Sequence, residues 1–268
     1  MIPICYQMDG VECTEPPEGK FDGVAYYNAL REGIRVTTSQ IPPQRYVDFF
    51  TPLLAEGGDV LFVGMSSGIS GSYQSAEIAA KELRETFPDR RIRLVDTFGA
   101  SLGEGLLVML AAKCREEGMD LDAIADRLLD QRKYVCQLLM VDDLFHLKRT
   151  GRVSGASAVI GSVLGIKPIL KGSPEGQIVL SARVRGRKHA IRAMAEKYRL
   201  LARDPQLQTV GIAHADCPED AAYLAELLCQ DRPPKEILQV CYEPVTGSHT
   251  GPGALALFFM GDADVRLQ

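Results

Sequence analysis

Apolar residues are spaced along this chain in two alternating rhythms. Val60-Leu61-Phe62-Val63 is a continuous apolar run, preceded by Gly57-Gly58-Asp59 and closed by Gly64, the pattern of a strand buried on both faces of a parallel sheet. Beyond it, Ala76, Ala79, Ala80, Leu83 and Phe87 recur at helical spacing until Pro88-Asp89 breaks the pattern. This strand–helix unit then repeats. Ile92 and Leu94 alternate with Arg91 and Arg93 into Val95-Asp96, and a helix that is apolar on most sides is predicted over 103–118. Leu121, Ile124, Ala125, Leu128 and Leu129 mark an amphipathic helix behind Asp120, a suitable N-cap.

The second half continues the alternation. Residues 135–141 read as a strand, followed by a basic loop, Lys148-Arg149-Thr150-Gly151-Arg152, and a small-residue helix over 155–164. Strands are predicted at 178–185 and 210–214, and helices at 188–201 and 218–228. Two last apolar runs, 237–241 and 254–260, flank a turn-rich loop from Pro244 to Gly253. Thr37-Thr38-Ser39-Gln40, between Gly33 and Pro42-Pro43, is also placed in a loop. The whole predicts an α/β protein in two lobes: about 1–134, where helices cover a largely parallel sheet, and about 135–268, a second α/β lobe.

Composition agrees with a folded globular chain and narrows its partners. The 268 residues are 46% hydrophobic and 24% charged, enough for a sizeable core. A net charge of -5 offers no general attraction for nucleic acid or an anionic membrane, so anion binding must be local. The seven cysteines include no C-x-x-C pair and read as reduced thiols, several of them, such as Cys136 and Cys241, within apolar runs. No stretch reaches the length of a membrane span and no basic n-region opens the chain, so stable membrane insertion is not expected and a cytoplasmic protein is.

The sharpest chemical feature is Gly64-Met65-Ser66-Ser67-Gly68-Ile69-Ser70-Gly71-Ser72-Tyr73, between a predicted strand and a predicted helix. Helix N-termini present unpaired N–H groups, glycines let a ligand approach the backbone, and serine hydroxyls add donors, so a carboxylate or phosphate would suit the turn. Simple capping by Ser70 or Ser72 is the plainer alternative. The run also contains G-x-S-x-G, and Ser66, Asp216 and His249 follow the order of an α/β-hydrolase triad. Yet no histidine precedes His146 and no H-G-G-G segment supplies a second oxyanion donor. His249 is expected in a glycine-rich loop, either solvated or donating to an anion. Arg183-Val184-Arg185-Gly186-Arg187-Lys188-His189 concentrates positive charge at a strand-to-helix junction, as a solvated face or as a phosphate or partner-docking site.

Taken in order, several segments resemble the DegV family of bacterial fatty-acid-binding proteins. They are 36–40, Ser66 to Ser75, Val95-Asp96-Thr97, Gly151-Arg152, Lys167-Pro168-Ile169-Leu170, Arg183 to Gly186 and His249 to Gly253. The resemblance spans nearly the whole chain. It implies a two-lobed fold enclosing one long-chain fatty acid, such as palmitate or oleate, whose carboxylate is held by Thr38 and Ser70. Ser67, Arg185 and His249 would line the carboxylate end or meet a partner. It further implies a carrier without catalytic machinery or cofactor, presenting the acid to a separate fatty-acid kinase subunit for acyl-phosphate formation in phospholipid synthesis. The alternatives are a serine esterase using Ser66 and a phosphate-ligand binding module. Two departures stand out. Family members open with a strand and an Asp-Ser-Thr-like turn ahead of the segment matching Ile2-Pro3-Ile4, so the first strand is expected to be missing here. The chain also has Gln40-Ile41-Pro42 where the family has Gln followed directly by Pro.

Overall fold

A computed structural model describes residues 2–14, 21–142, 144–153, 165–262 and 265–267. The chain begins with a hairpin, β1 (Cys5–Met8) and β2 (Val11–Thr14), turning through Asp9 and Gly10, both at positive φ. That is the turn whose twist suits a two-residue hairpin. Helix α1 (Gly23–Arg31) follows, capped by the Asp22 side chain, and β3 (Val36–Thr38) returns to pair antiparallel with β1.

Next come α2 (Pro43–Ala55), β4 (Val60–Gly64), α3 (Ser72–Thr86), β5 (Ile92–Asp96), α4 (Leu102–Glu116) and α5 (Leu121–Gln131). Strands β4 and β5 pair in parallel, Val60 opposite Ile92 and Gly64 opposite Asp96. One face of the pair is covered by Tyr46, Phe50 and Leu54 of α2 with Ala76, Ala79, Ala80 and Leu83 of α3. The other is covered by Leu107 and Cys114 of α4 with Ile124, Ala125 and Leu128 of α5. Burial on both faces is why β4 reads as an unbroken apolar run. Asp120 caps α5 by accepting from the Ala123 N–H at 3.0 Å, as its position predicts.

The second lobe contains β6 (Val135–Met140), α6 (Phe145–Arg149), β7 (Ile166–Gly172), β8 (Ile178–Arg185), α7 (Arg187–Leu201), β9 (Thr209–His214), α8 (Pro218–Asp231), β10 (Glu236–Cys241), α9 (Pro244–Thr250) and β11 (Leu255–Met260). Its six strands lie in the order β10-β9-β11-β6-β7-β8, with β10–β9 parallel and the other pairs antiparallel. Helices α7 and α8 pack on one face, around Met194, Tyr198, Leu224, Leu228 and Phe259. The opposite face meets the first lobe, where Tyr26, Tyr27 and Leu30 of α1 join Leu170, Ala213, Ala256 and Phe258 in one cluster.

Three expectations change. The loop drawn through 244–253 is helical over most of its length, because Glu243 caps it and its hydroxyl-rich sequence carries no apolar periodicity to announce it. Thr37 and Thr38 belong to a three-residue strand, too short to show alternation, rather than to a loop. Lys148 and Arg149 form the last turn of α6, so only the end of the basic segment is a loop. The small-residue helix expected over 155–164 lies outside the described residues.

Candidate functional site

The turn between β4 and α3 is braced from three sides. Asp96, at the end of β5, accepts from the Ser67 N–H at 3.2 Å and the Phe98 N–H at 3.1 Å. Thr97 donates its hydroxyl to the Gly64 carbonyl at 2.8 Å. Ser66, fully buried, donates to the Gly176 carbonyl at the tip of the β7–β8 hairpin, 2.7 Å away. The backbone N–H groups of Ile69 and Ser70 are used within the turn, both reaching the Ser66 carbonyl.

Ser70 does part of the work of a cap. Its Oγ accepts from the Ser72 N–H at 3.2 Å and donates to the Ser72 Oγ at 3.0 Å. The segment after β3 docks onto the same turn: the Ile41 N–H donates to the Ser72 Oγ at 3.1 Å, and the Gln40 amide to the Ser75 Oγ at 3.3 Å. The approach is close: a Cβ on Gly71 would collide with the Gln40 side-chain amide and push it aside. Thr38, the last residue of β3, is therefore held two residues before a segment that is pinned to α3.

Across from it stands His249 on α9. Its Nε2 lies 2.9 Å from the Thr38 Oγ1, while its buried Nδ1 has no hydrogen-bond partner among the described residues. A buried N–H without an acceptor is costly, so the favoured arrangement puts the ring proton on Nε2, donating to Thr38. The Thr38 hydroxyl proton is then left to point at a ligand. Burial, reinforced by the nearby Arg152 and Arg149 charges, pushes the His249 imidazole down to about 4, so it is neutral at physiological pH. The site thus combines neutral donors with an arginine field, a setting suited to a single anion.

The helix that carries His249 is fixed to the first lobe. Tyr27 donates to the Tyr242 carbonyl at 2.8 Å and Tyr26 to the Pro244 carbonyl at 2.7 Å, and Glu243 accepts from the Thr246 N–H. Gly247 is required where the Tyr27 ring crosses α9, because an added Cβ would meet its hydroxyl.

A family model described as "Uncharacterised protein, DegV family" matches residues 1–262. The chain belongs to the DegV family. A DegV domain-containing protein of Clostridium perfringens is 40% identical over 97% of this chain and 89% of its own length. The structure of a DegV family protein from Thermus thermophilus, described for its fatty-acid binding, superimposes with a TM-score of 0.87 at 31% identity, covering 97% of this chain and 91% of that one. A fatty-acid-binding DegV protein from Streptococcus agalactiae gives a TM-score of 0.82, also at 31% identity, covering 97% and 90% respectively. The two-lobed α/β architecture of this chain is the DegV fold.

In this DegV chain the residues singled out from sequence are partly reunited. Thr38 and His249 are hydrogen-bonded directly, and the segment that follows Thr38 meets the Ser70 turn. Ser67 lies in that turn, its amide tied to Asp96. Arg185 stands apart: it is exposed at the end of β8, in register with Ile166, and no hydrogen bond or ion pair among the described residues joins it to Thr38, Ser70 or His249. Ser66 is no exposed nucleophile. Its hydroxyl proton is committed to a carbonyl, and His249 is bonded to Thr38 instead. Arg149 and Arg152 were visible only as a basic segment, because nothing local shows that the chain folds back to place them beside α9.

Proposed function

We propose that this protein binds one long-chain fatty acid, its carboxylate received by the hydroxyls of Thr38, which His249 orients, and of Ser70, which would turn from Ser72 to the ligand, and its acyl chain running into the apolar region between the lobes. The Thr38–His249 hydrogen bond carries the reading, since it joins the two lobes at the mouth of the Ser70 turn beside two arginines. The fatty-acid binding described for the Thermus thermophilus and Streptococcus agalactiae proteins supports it. So does the interior. Leu102, Leu106, Leu139, Ile178 and Leu180 pack against the interlobe cluster yet remain only partly buried, leaving apolar surface that a hydrocarbon chain would cover. Burying about 15 methylenes at about 0.8 kcal/mol each gives roughly 12 kcal/mol of gross transfer energy. The acyl chain therefore dominates affinity, and the polar end fixes orientation and selects an acid over an alcohol or ester.

On this reading the protein is a carrier that presents the carboxylate to a separate kinase subunit, with Ser67 and Arg185 at or near the presenting face. The division into lobes falls near residue 135. Native mass spectrometry of the purified chain tests the carrier: a co-purified fatty acid, or uptake of added palmitate or oleate, is the expected result, and absence of both sinks the proposal. Thr38→Ala and Ser70→Ala should each weaken fatty-acid binding about tenfold, the loss of one hydrogen bond to a charged group, with the fold unchanged. Unchanged affinity in both would remove these residues from the site. Formation of acyl phosphate by an added fatty-acid kinase only when the loaded carrier is present would establish the presenting role.

A further inference from the structure

Of the basic run at the β8–α7 junction, one member turns inward. Arg187, the first residue of α7, uses every arm of its guanidinium. Its Nε donates to Asp220 on α8 at 2.6 Å, one terminal nitrogen to Asp142 beyond β6 at 2.6 Å, and the other to the Gly253 carbonyl at 2.8 Å. Asp142 also accepts from Lys167 at 2.7 Å. Gly253 is the pivot of the turn between α9 and β11. It sits at φ +78, its N–H donates to the Ala215 carbonyl at 2.7 Å, and a Cβ there would press on the Asp142 carboxylate. Gly251, at φ +77, closes α9 by donating to the Gly247 carbonyl at 2.8 Å.

The two ends of α9 are thus anchored differently. Its N-terminal end is held by Glu243, Tyr26 and Tyr27, and its C-terminal end, where His249 sits, by the turn that Arg187 grips. The His249 ring has a single hydrogen bond among the described residues, to Thr38, so that bond does little to correct a displaced ring. We propose that Arg187 is a positioning residue: by binding Asp142, Asp220 and the Gly253 carbonyl at once, it fixes the 251–253 turn and so aims the His249 ring at Thr38. A lysine, a point charge on a flexible stem, cannot occupy three directions together. The proposal rests on the carrier reading only for its effect on ligand affinity.

The test reads the His249 ring directly, in the ligand-free full chain, by proton–nitrogen spectra through the acidic range. Among the described residues, the charged and hydrogen-bonding groups facing that ring are Arg149, Arg152 and Thr38, and none is altered. In Arg187→Gln, His249 should gain solvent and titrate closer to an ordinary histidine, and palmitate affinity should fall about fivefold to tenfold through faster release. Arg187→Lys should show the same changes in smaller measure, and it supplies the readout should the glutamine variant fail to fold. A folded variant in which His249 titrates as in the parent overturns the positioning role. Failure of the parent to bind palmitate would sink the carrier reading alone, because the histidine titration needs no ligand.

Discussion

At the scale of single residues, His249 decides most. Burial holds its folded value near 4 against about 6.5 for a free imidazole, so between those values the unfolded chain binds the extra proton. Stability should therefore fall as the pH drops through that window, by on the order of 1–2 kcal/mol between about pH 7.5 and about pH 5. Urea unfolding at both pH values, compared with His249→Gln, isolates this component. The variant should lose less stability on acidification than the parent, and an equal loss would mean the imidazole is already solvated. The comparison is needed because burial moves Glu104 the other way, up to about 7. Ser66 shows what spacing leaves open. G-x-S-x-G is compatible with an exposed nucleophile, but the direction of the side chain is set by the Gly176 carbonyl, 110 residues away.

At the scale of elements, what was legible in the sequence depended on who does the holding. β4, α3, β5 and α5 are specified by their own apolar spacing, since each buries a regular face against neighbours close in the chain. α9 is held by two tyrosines more than 200 residues upstream and by Glu243, so its own letters read as a loop. β3 is fixed by pairing with β1, and its three residues carry too little pattern to show it. The glycines and serines of the β4–α3 turn mark it in the sequence as a candidate anion site, but its junction with Gln40 and Ile41 leaves no such mark. That junction yields a prediction. In Gly71→Ala the new methyl group displaces only the end of a flexible glutamine, and the backbone at φ -72 accepts alanine. Melting temperature should change little, whereas fatty-acid affinity should drop severalfold as Gln40 leaves Ser75. Retained affinity would show that the docking of this segment does not set the position of Thr38.

At the scale of the molecule, Arg266 ties distant parts together. It is 4% exposed and donates to the carbonyls of Phe98 at 2.7 Å, Ser173 at 3.2 Å and Arg132 at 2.9 Å. These belong to the turn after β5, the β7–β8 hairpin and the segment before β6. Arg266→Met would leave three carbonyls without this donor, and a loss of about 2–4 kcal/mol in urea unfolding is expected, offset in part by removal of a buried charge. A change under about 0.5 kcal/mol would show that other groups satisfy those carbonyls. Among the described residues no helix is long and apolar enough to cross a membrane.

Because β3 comes from one lobe and α9 from the other, the Thr38–His249 bond cannot survive their separation. If the chain carries a fatty acid as proposed, any opening wide enough to free the acyl chain takes apart the proposed carboxylate site in the same movement. Occupancy and closure are then linked quantities. A bound acid shifts the ensemble toward the shut form by its differential affinity, and the apparent affinity is reduced by whatever fraction of empty molecules stands open. A partner that prised the lobes apart would release the acid without competing for a single one of its contacts.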